Sequence, residues 1–333
     1  MAVIHKSFFR WAGVVVAGLL VLAASPVFAS DAMHDGPGLA LMSRLQQAAH
    51  GLDYEGVYIY QQGAVMLASR IVHVADMHGE RQRVEVLDGR KRREVLRHND
   101  EVQSLFPEMQ LVLVEHRQTE HFPALFIGSP EQLASSYSFR VEEELGRVAG
   151  RPCQIAHVVP RDALRWSFRL CVDQDSGLLL KAQTVDSMGV VLEQVAFSEV
   201  QIGDDLVDSA LLEPRHDTRD WKRISPGEPA DLAAAGWYIV PPNGFQPVSQ
   251  QRRTLKHHQQ VLQMVLSDGL AAISVFIESY EPGRIESPAA VQYGATNIFS
   301  RREGDFWLTV LGEVPADTVR QVAETVTYKG RTH

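Results

Sequence analysis

The stretch YEGVYIYQQGAVMLASRIVHV, residues 54–74, decides the fold class of this chain. Apolar side chains at Val57 and Ile59, and again at Val65 and Leu67, recur at every second position. A period of two is typical of a strand that buries one face. The letters QQG between the two runs predict a hairpin turn. The stretch therefore predicts two adjacent antiparallel strands.

Further short strands follow on the C-terminal side, separated by Gly, Pro, Asn and Asp turn signals. The predicted runs are 81–87, 94–97, 101–106, 110–115, 139–144, 153–159, 165–172, 178–186 and 190–201. The helices that a parallel α/β fold needs between its strands are missing. The pattern therefore predicts one large antiparallel meander, in a fold that is mainly β with some α.

Two segments are expected to cover this sheet. Apolar residues between Leu39 and Leu52 recur at helical spacing and predict an amphipathic helix, which is either a core face or a lid. Residues 119–139 then interrupt the strand pattern with an aromatic segment. Its apolar side chains are candidates for the mouth of an apolar cleft, with a loop packed on the sheet as the alternative. These candidates are Phe122, Leu125, Phe126, Leu133 and Tyr137.

The chain divides into a large and a small domain. The β domain is expected over 30–202, and a linker rich in Asp, Glu, Pro and Arg over 203–232. The small α+β domain is expected over 233–330, with strands near 272–278, 297–300 and 306–311 and a closing helix that starts at Asp317. Residues 233–333 carry nine basic and nine acidic residues, so the acidic excess lies before them.

The N-terminus predicts export. Residues 1–29 combine the basic residues Lys6 and Arg10 with a short apolar run and a small-residue cleavage site between Ala29 and Ser30. The apolar run is shorter than the roughly 20 residues of a spanning helix, although an uncleaved anchor is the alternative. We therefore expect a periplasmic protein that does not span the membrane.

Composition and motifs favour a binding protein over an enzyme. The chain has 333 residues, 45% of them hydrophobic and 22% charged, which is typical of globular proteins. Its net charge of −9 counts against nucleic-acid binding, which needs a basic face. Catalytic signatures such as Gly-x-Ser-x-Gly and His-Glu-x-x-His are lacking. His116 and His121 are five residues apart, a poor metal spacing, and we expect no cofactor.

The two cysteines lie on consecutive predicted strands. A hairpin with residue 160 opposite residue 164 places Cys153 opposite Cys171, at a distance that a disulfide can span. An exported protein meets oxidising conditions, which permit such a bond. A register change of one residue would put the thiols on opposite faces. A disulfide and two buried free thiols therefore both remain open.

One basic run stands out in this acidic chain. It consists of Arg90, Lys91, Arg92 and Arg93. Such a run is typical of a solvated hairpin edge that resists pairing with other sheets. The functional alternative is a docking patch for an acidic peptide or a lipid phosphate.

An ordered set of short motifs runs along nearly the whole mature chain. In the large domain the motifs are DG (88–89), RREV (92–95), RVAGRP (147–152), PRD (160–162), RWSF (165–168), DQDSGL (173–178) and GVVLEQ (189–194). In the small domain they are NGF (243–245), SDGL (267–270), SVFI (274–277) and GEVP (312–315). This ordered set resembles the MucB/RseB family, although the family's usual Trp-Leu-Pro before NGF is Val-Pro-Pro (240–242) here.

The resemblance implies a periplasmic negative regulator of a sigma-E-type sigma factor. Such a protein binds the periplasmic segment of a membrane anti-sigma factor and shields it from regulated proteolysis, and lipid or lipopolysaccharide promotes release. The implied large domain is a half-open antiparallel barrel, covered by helices, like that of lipoprotein carriers. Homodimers occur in the family. The alternative function is a periplasmic lipid or lipoprotein carrier.

Overall fold

The computed structural model describes residues 35–89, 92–116, 121–203, 209–225, 227–254, 260–281, 283 and 289–330. The expected signal sequence, with Ala29 and Ser30, lies outside the described residues. So do Arg90 and Lys91 of the basic run, and residues 204–208 and 226 of the expected linker.

A twelve-stranded sheet dominates the N-terminal two thirds of the chain. Its strands are β1 (Tyr54–Gln62), β2 (Val65–Asp76), β3 (Gly79–Val86), β4 (Glu94–His98), β5 (Glu101–Phe106), β6 (Leu111–His116), β7 (Tyr137–Val148), β8 (Arg151–Pro160), β9 (Ser167–Asp173), β10 (Leu179–Val185), β11 (Val191–Ile202) and β12 (Lys222–Ile224). The predicted mainly β fold is confirmed, and the described residues contain few helices.

The strand order is β12-β6-β5-β4-β3-β2-β1-β11-β10-β9-β8-β7. Every pairing is antiparallel except that of β12 with β6. The sheet stays open, because within the described residues β12 and β7 are its two ends. The predicted first hairpin is present, with Val65 opposite Gln62 and Gly63 in the left-handed region at φ +56°.

Helix α1 (Asp35–Gly51) covers one face of this sheet, as the spacing of its apolar residues predicts. It buries Met42 and Leu45 completely, and both pack against side chains of β7 to β10. A Cβ atom on Gly38 would lie 2.4 Å from Cβ of Phe139, so only glycine permits this approach of helix and strand. The short helix α2 (Pro130–Leu133) lies beside α1 on the same face.

A seven-stranded sheet forms the second module. Its order is β13-β15-β16-β17-β20-β19-β18, formed by β13 (Glu228–Pro229), β15 (Gln246–Thr254), β16 (Gln260–Ser267), β17 (Ala272–Ser279), β18 (Ala289–Tyr293), β19 (Thr296–Glu303) and β20 (Phe306–Gly312). Strands β15, β16 and β18 were not predicted.

The predicted closing helix is α3 (Ala316–Thr325). Its residues Val319, Val322 and Ala323 are buried against this second sheet. Arg301 of β19 holds the C-terminal end of the helix by donating hydrogen bonds to the carbonyl oxygens of Ala323 (2.9 Å) and Val326 (2.6 Å). Two further short strands, β14 (Trp237–Tyr238) and β21 (Thr327–Tyr328), pair beside it.

The described parts of the expected linker contain regular structure. A 3-10 helix spans Ser209–Leu212, β12 extends the first sheet, and β13 begins the second. The segment from this 3-10 helix to β12 runs along the face of the large sheet that α1 leaves uncovered. There the buried Arg83 donates a hydrogen bond to the carbonyl oxygen of Leu211 (3.2 Å), and Nδ1 of His216 lies 2.9 Å from the buried Glu94.

The predicted register of the β8–β9 hairpin is wrong by two residues. Cys153 pairs with Asp173, and Ile155 pairs with Cys171. The connection is wider than predicted because Leu164 and Arg165 within it bond to the second module instead of closing a tight turn. A shift of two residues preserves the face of each side chain. Cys153 and Cys171 are joined by a disulfide, with their Cα atoms 5.4 Å apart.

Candidate functional site

A cavity of about 260 Å³, lined by both polar and apolar groups, lies between the two sheets, which belong to one compact unit of the chain. Its floor is a single row of cross-strand partners on β1 to β6 of the large sheet: Tyr54, His73, Gln82, Arg97, Val102 and Glu115. All of these except His73 line the cavity directly. Directly paired residues share a face, so this row arises from the sheet register alone.

The opposite wall is the polar face of the second sheet. It consists of Ser249, Gln251, Arg253, Gln263, Val265, Ala272 and Ser274 on β15, β16 and β17. Their alternate neighbours, such as Met264, Ile273 and Val275, face away and fill the core of the second module. Strand periodicity therefore separates an apolar core face from a hydrogen-bonding face that looks toward the large sheet.

A charged network fixes the floor of the cavity under the end of α1. Glu80 accepts a hydrogen bond from Arg97, and its Oε1 lies 2.9 Å from Nε2 of His73 and 3.1 Å from Nδ1 of His50. His73 is fully buried and stacks on Tyr54 at 4.6 Å between ring centroids. Burial lowers the pKa of His73 to about 4. The network therefore ties α1 to β2, β3 and β4.

Two ion pairs between described residues join the modules, and the first of them lines the cavity. Arg253 of β15 donates to Glu115 of β6 at 2.9 Å, and their side chains keep 26% and 37% of their exposure. Arg165 pairs through Nε with Asp268 at 2.5 Å, and these side chains keep 0% and 1%. The first pair is in contact with water and the second is enclosed.

The enclosed guanidinium of Arg165 organises several loops. It donates to Asp162 (2.5 Å) and to the carbonyl oxygen of Asn243 (2.7 Å), and it stacks on Phe245 at 4.6 Å. Burial disfavours its charge, but the bonds to Asp268 outweigh burial and raise the pKa of Arg165. Tyr137 donates to the same Asp268 oxygen at 2.9 Å. We call Tyr137, Asp162, Arg165 and Asp268 the clamp.

Backbone contacts surround the clamp. The amide of Ile127 donates to the carbonyl oxygen of Gly269 at 2.8 Å, and the Trp166 indole donates to that of Ala295 at 2.8 Å. Thr318 of α3 donates to the carbonyl oxygen of Leu164 at 3.1 Å. Together with the bonds of Arg165 to Asp268 and Asn243, these contacts bond the β8–β9 connection to four separate segments of the second module.

Three of the five predicted cleft residues lie in the core, and the other two pack against it. Phe126, Leu133 and Tyr137 are buried with α1, and Phe122 packs between Tyr58 and Phe197 at 5.3 and 4.9 Å between ring centroids. Leu125 is partly buried against the same cluster. From this segment, His121 and Ala124 line the neighbouring cavity between the sheets instead.

The described half of the predicted docking patch is engaged within the protein. Arg92 lies 3.5 Å from Glu108, and the hydrogen bond from the Arg92 amide lowers the pKa of that carboxyl. Arg93 lies over the ring of Phe106 at 5.5 Å. Among the described residues, no cluster of His, Cys, Asp and Glu is arranged to hold a metal ion.

Two family models match this chain and together cover both modules. The MucB/RseB N-terminal domain matches residues 37–215, and the MucB/RseB C-terminal domain matches residues 231–327. The chain belongs to the MucB/RseB family.

Two relatives and a solved structure match this chain over most of its length. The sigma factor AlgU regulatory protein MucB of Pseudomonas aeruginosa is 30% identical over 92% of this chain and 96% of that protein. The sigma-E factor regulatory protein RseB of Escherichia coli K12 is 24% identical over 92% and 96%. The solved structure of MucB in complex with MucA(peri) matches with a TM-score of 0.70 and 27% identity, over 88% of this chain and 100% of that one.

Reasoning from the sequence missed most of the residues that join the modules in this MucB/RseB protein. Arg165 and Asp268 lie within two of the family motifs, RWSF (165–168) and SDGL (267–270). Their position in these motifs was the sequence signal that could have identified them. Tyr137 was selected as an apolar residue, whereas its hydroxyl belongs to the clamp. Glu115 and Arg253 carry no motif, and only the register of two sheets brings them together.

Proposed function

We propose that this protein binds the periplasmic segment of a membrane anti-sigma factor, shields it from regulated proteolysis and so keeps a sigma-E-type factor inactive. The observation that carries the proposal is the match over both modules to MucB in complex with MucA(peri), with 100% of that chain covered. The relatives named as sigma factor regulatory proteins support the same function. The proposed role is binding, without catalysis.

The arrangement of the modules supports a binding role. Because the clamp and the Glu115–Arg253 pair hold the two sheets against each other, a partner meets one preformed surface instead of two independent domains. Preorganisation of this kind reduces the entropy that is lost on association.

We further propose a periplasmic location, with cleavage between Ala29 and Ser30. No helix among the described residues is long and apolar enough to cross a membrane. N-terminal sequencing of the protein recovered from a periplasmic extract tests both points. A start at Ser30 supports the proposal, whereas an intact Met1 in a membrane fraction contradicts it.

The domain boundaries belong to the same proposal: a carrier-like half-open β domain over 30–202, a linker over 203–232 and a small α+β domain over 233–330. The open twelve-stranded sheet, covered on one face by α1, supports the half-open barrel. The separate family models for residues 37–215 and 231–327 support the division.

The decisive experiment is a calorimetric titration of residues 30–333 with the periplasmic segment of the anti-sigma factor from the same genome. A peptide of scrambled sequence is the control. Saturable binding of the native segment alone supports the regulator. Equal binding of both peptides, or of neither, contradicts it.

We also propose that lipid or lipopolysaccharide promotes release of the partner. If a lipid prefers a conformation that the anti-sigma segment does not, each ligand must weaken the other by the same factor. Repeating the titration with a lipopolysaccharide fragment present tests this coupling. Unchanged peptide affinity at saturating fragment would rule out release by lipid while leaving the regulator intact. Lipid binding without any peptide binding would favour a lipid carrier.

A further inference from the structure

A second pocket, of about 170 Å³, lies on the large sheet near the disulfide. Three cationic side chains line it: Arg147, Arg169 and Lys181. Gln183 and Cys171 also line it, and none of its lining residues is a carboxylate. The pocket has room for several water molecules, and therefore for a small polyatomic anion.

Three strands bring these cations together. Arg169 of β9 is the cross-strand partner of Gln183 on β10, and Lys181 of β10 is that of Cys171. Arg147 comes from the end of β7, where its guanidinium donates to the carbonyl oxygen of Gly150 at 2.8 Å. The preceding Gly146 lies against the disulfide, because a Cβ there would be 3.2 Å from Sγ of Cys153. The disulfide thus supports the floor of the pocket.

The cations in this pocket are only partly matched by anions. Arg169 forms an ion pair with Glu142 at 3.6 Å, but that carboxylate also lies 2.6 Å from Nε2 of His157. Within the described part of the chain, the half-buried Lys181 ammonium has no hydrogen-bond or ion-pair partner. Burial and then the nearby Arg169 charge lower the pKa of Lys181, and no carboxylate opposes this effect. A bound anion would stabilise the charged form of such a group.

We propose that this pocket binds a phosphate-type oxyanion through Arg147, Arg169 and Lys181. Guanidinium groups present paired N–H donors that match the oxygens of a phosphate, and an ammonium adds a point charge. A tetrahedral dianion offers oxygens in several directions, as three cations from three strands require. The source is either free phosphate or a phosphomonoester lipid headgroup. This site is separate from the cavity between the modules and does not depend on the proposed anti-sigma partner.

The test is calorimetric titration of residues 30–333 with inorganic phosphate, in wild type and in two variants. Lys181→Met removes the ammonium and keeps the length of the side chain. Lys222→Met makes the same charge change on the exposed strand β12, away from the pocket, and is the matched control. We expect Lys181→Met to weaken binding by about tenfold or more, since a charged hydrogen bond is lost, and Lys222→Met to leave it unchanged. Equal weakening in both variants would overturn the proposal.

A second arm separates the two sources. Vesicles of phosphatidylcholine, with and without phosphatidic acid, are sedimented with each protein. A shared site is supported if free phosphate binds and also displaces the protein from phosphatidic acid vesicles, with both effects dependent on Lys181. Binding of the vesicles alone assigns a headgroup, and binding of inorganic phosphate alone assigns the free ion. Absence of binding in both arms overturns the site.

Arg147→Met keeps the test informative if Lys181→Met unfolds. Arg147 is exposed, so its loss should not disturb the core. We expect phosphate to raise the melting temperature of wild type and Lys222→Met, but to raise that of Arg147→Met much less. An equal rise in all three proteins would count against the pocket.

Discussion

Arg165 and Asp268, which lie 103 residues apart in the chain, form an ion pair that water does not reach. Glu115 and Arg253 form a second ion pair between the modules among the described residues, and they remain partly exposed. A charge that loses its partner is far more costly in an enclosed site than in one that water can reach. The two contacts should therefore respond very differently to mutation.

We expect Arg165→Met to lower the free energy of unfolding by about 3–5 kcal/mol, because Asp268 would be left as a buried, unpaired charge. Urea unfolding measured at neutral pH checks this value. Arg320→Met is the matched control, since Arg320 pairs with Asp317 on an exposed surface of α3. The control should change stability by less than about 1 kcal/mol. A similar small loss in both variants would mean that the clamp does not hold the modules together.

Glu115→Gln should lower the free energy of unfolding by at most about 1 kcal/mol, because its partner Arg253 can be solvated when the pair is lost. High salt should reduce the difference from wild type further, since salt screens exposed charges. Urea unfolding at low and high salt measures both effects. A loss above about 2 kcal/mol that persists in high salt would show that this pair is enclosed in solution.

The large sheet was predictable because its signal is local. The alternation from Val57 to Leu67, followed by a turn, specifies a hairpin without reference to the rest of the chain, and the spacing from Leu39 to Leu52 likewise specifies α1. The polar strands of the second sheet gave no such signal. Strand β15, with the sequence QPVSQQRRT, shows little alternation of apolar and polar residues. Its cavity side carries Ser249, Gln251 and Arg253, and most residues on its other side are polar too.

The candidate site was harder to predict because it depends on pairings between distant segments. The row from Tyr54 to Glu115 exists only when six strands take one register. Arg165 looked like an ordinary hairpin residue, although it is fully buried against a loop of the other module. Local patterns record which face a residue occupies, but they do not record which distant segment covers that face.

Replacing both Cys153 and Cys171 by serine should lower the free energy of unfolding by about 3 kcal/mol. The disulfide closes a loop of 18 residues, and constraining a loop of that size in the unfolded chain has about this effect. Urea unfolding of the variant and of oxidised wild type gives the difference. The mass of alkylated, unreduced protein reports whether the bond forms. Two alkylated thiols in protein recovered from the periplasm would contradict the disulfide.

The ion pair of Arg151 and Asp173 should make the free energy of unfolding fall as the pH is lowered into the acid range. Asp173 is 1% exposed and accepts hydrogen bonds from Arg151 at 2.8 and 3.0 Å and from the Ser176 hydroxyl at 2.7 Å. Burial alone would raise the pKa of this carboxyl, but these bonds outweigh it and lower the pKa below its ordinary value. The resulting stabilisation is present above the unfolded-state pKa of about 4 and is lost as the pH falls through the lower folded-state pKa.

Arg151→Met should therefore lower the free energy of unfolding by about 2 kcal/mol at neutral pH, the scale of hydrogen bonds to a charged group. The difference from wild type should shrink as Asp173 becomes protonated, because a neutral carboxyl no longer needs the guanidinium. Urea unfolding from about pH 7 to about pH 3 measures this trend. Arg219→Met is the control, since Arg219 and Asp217 are both exposed and their loss should leave the profile unchanged. A difference for Arg151→Met that stays constant down to the lowest pH would show that Arg151 stabilises the hairpin by packing and not by its charge.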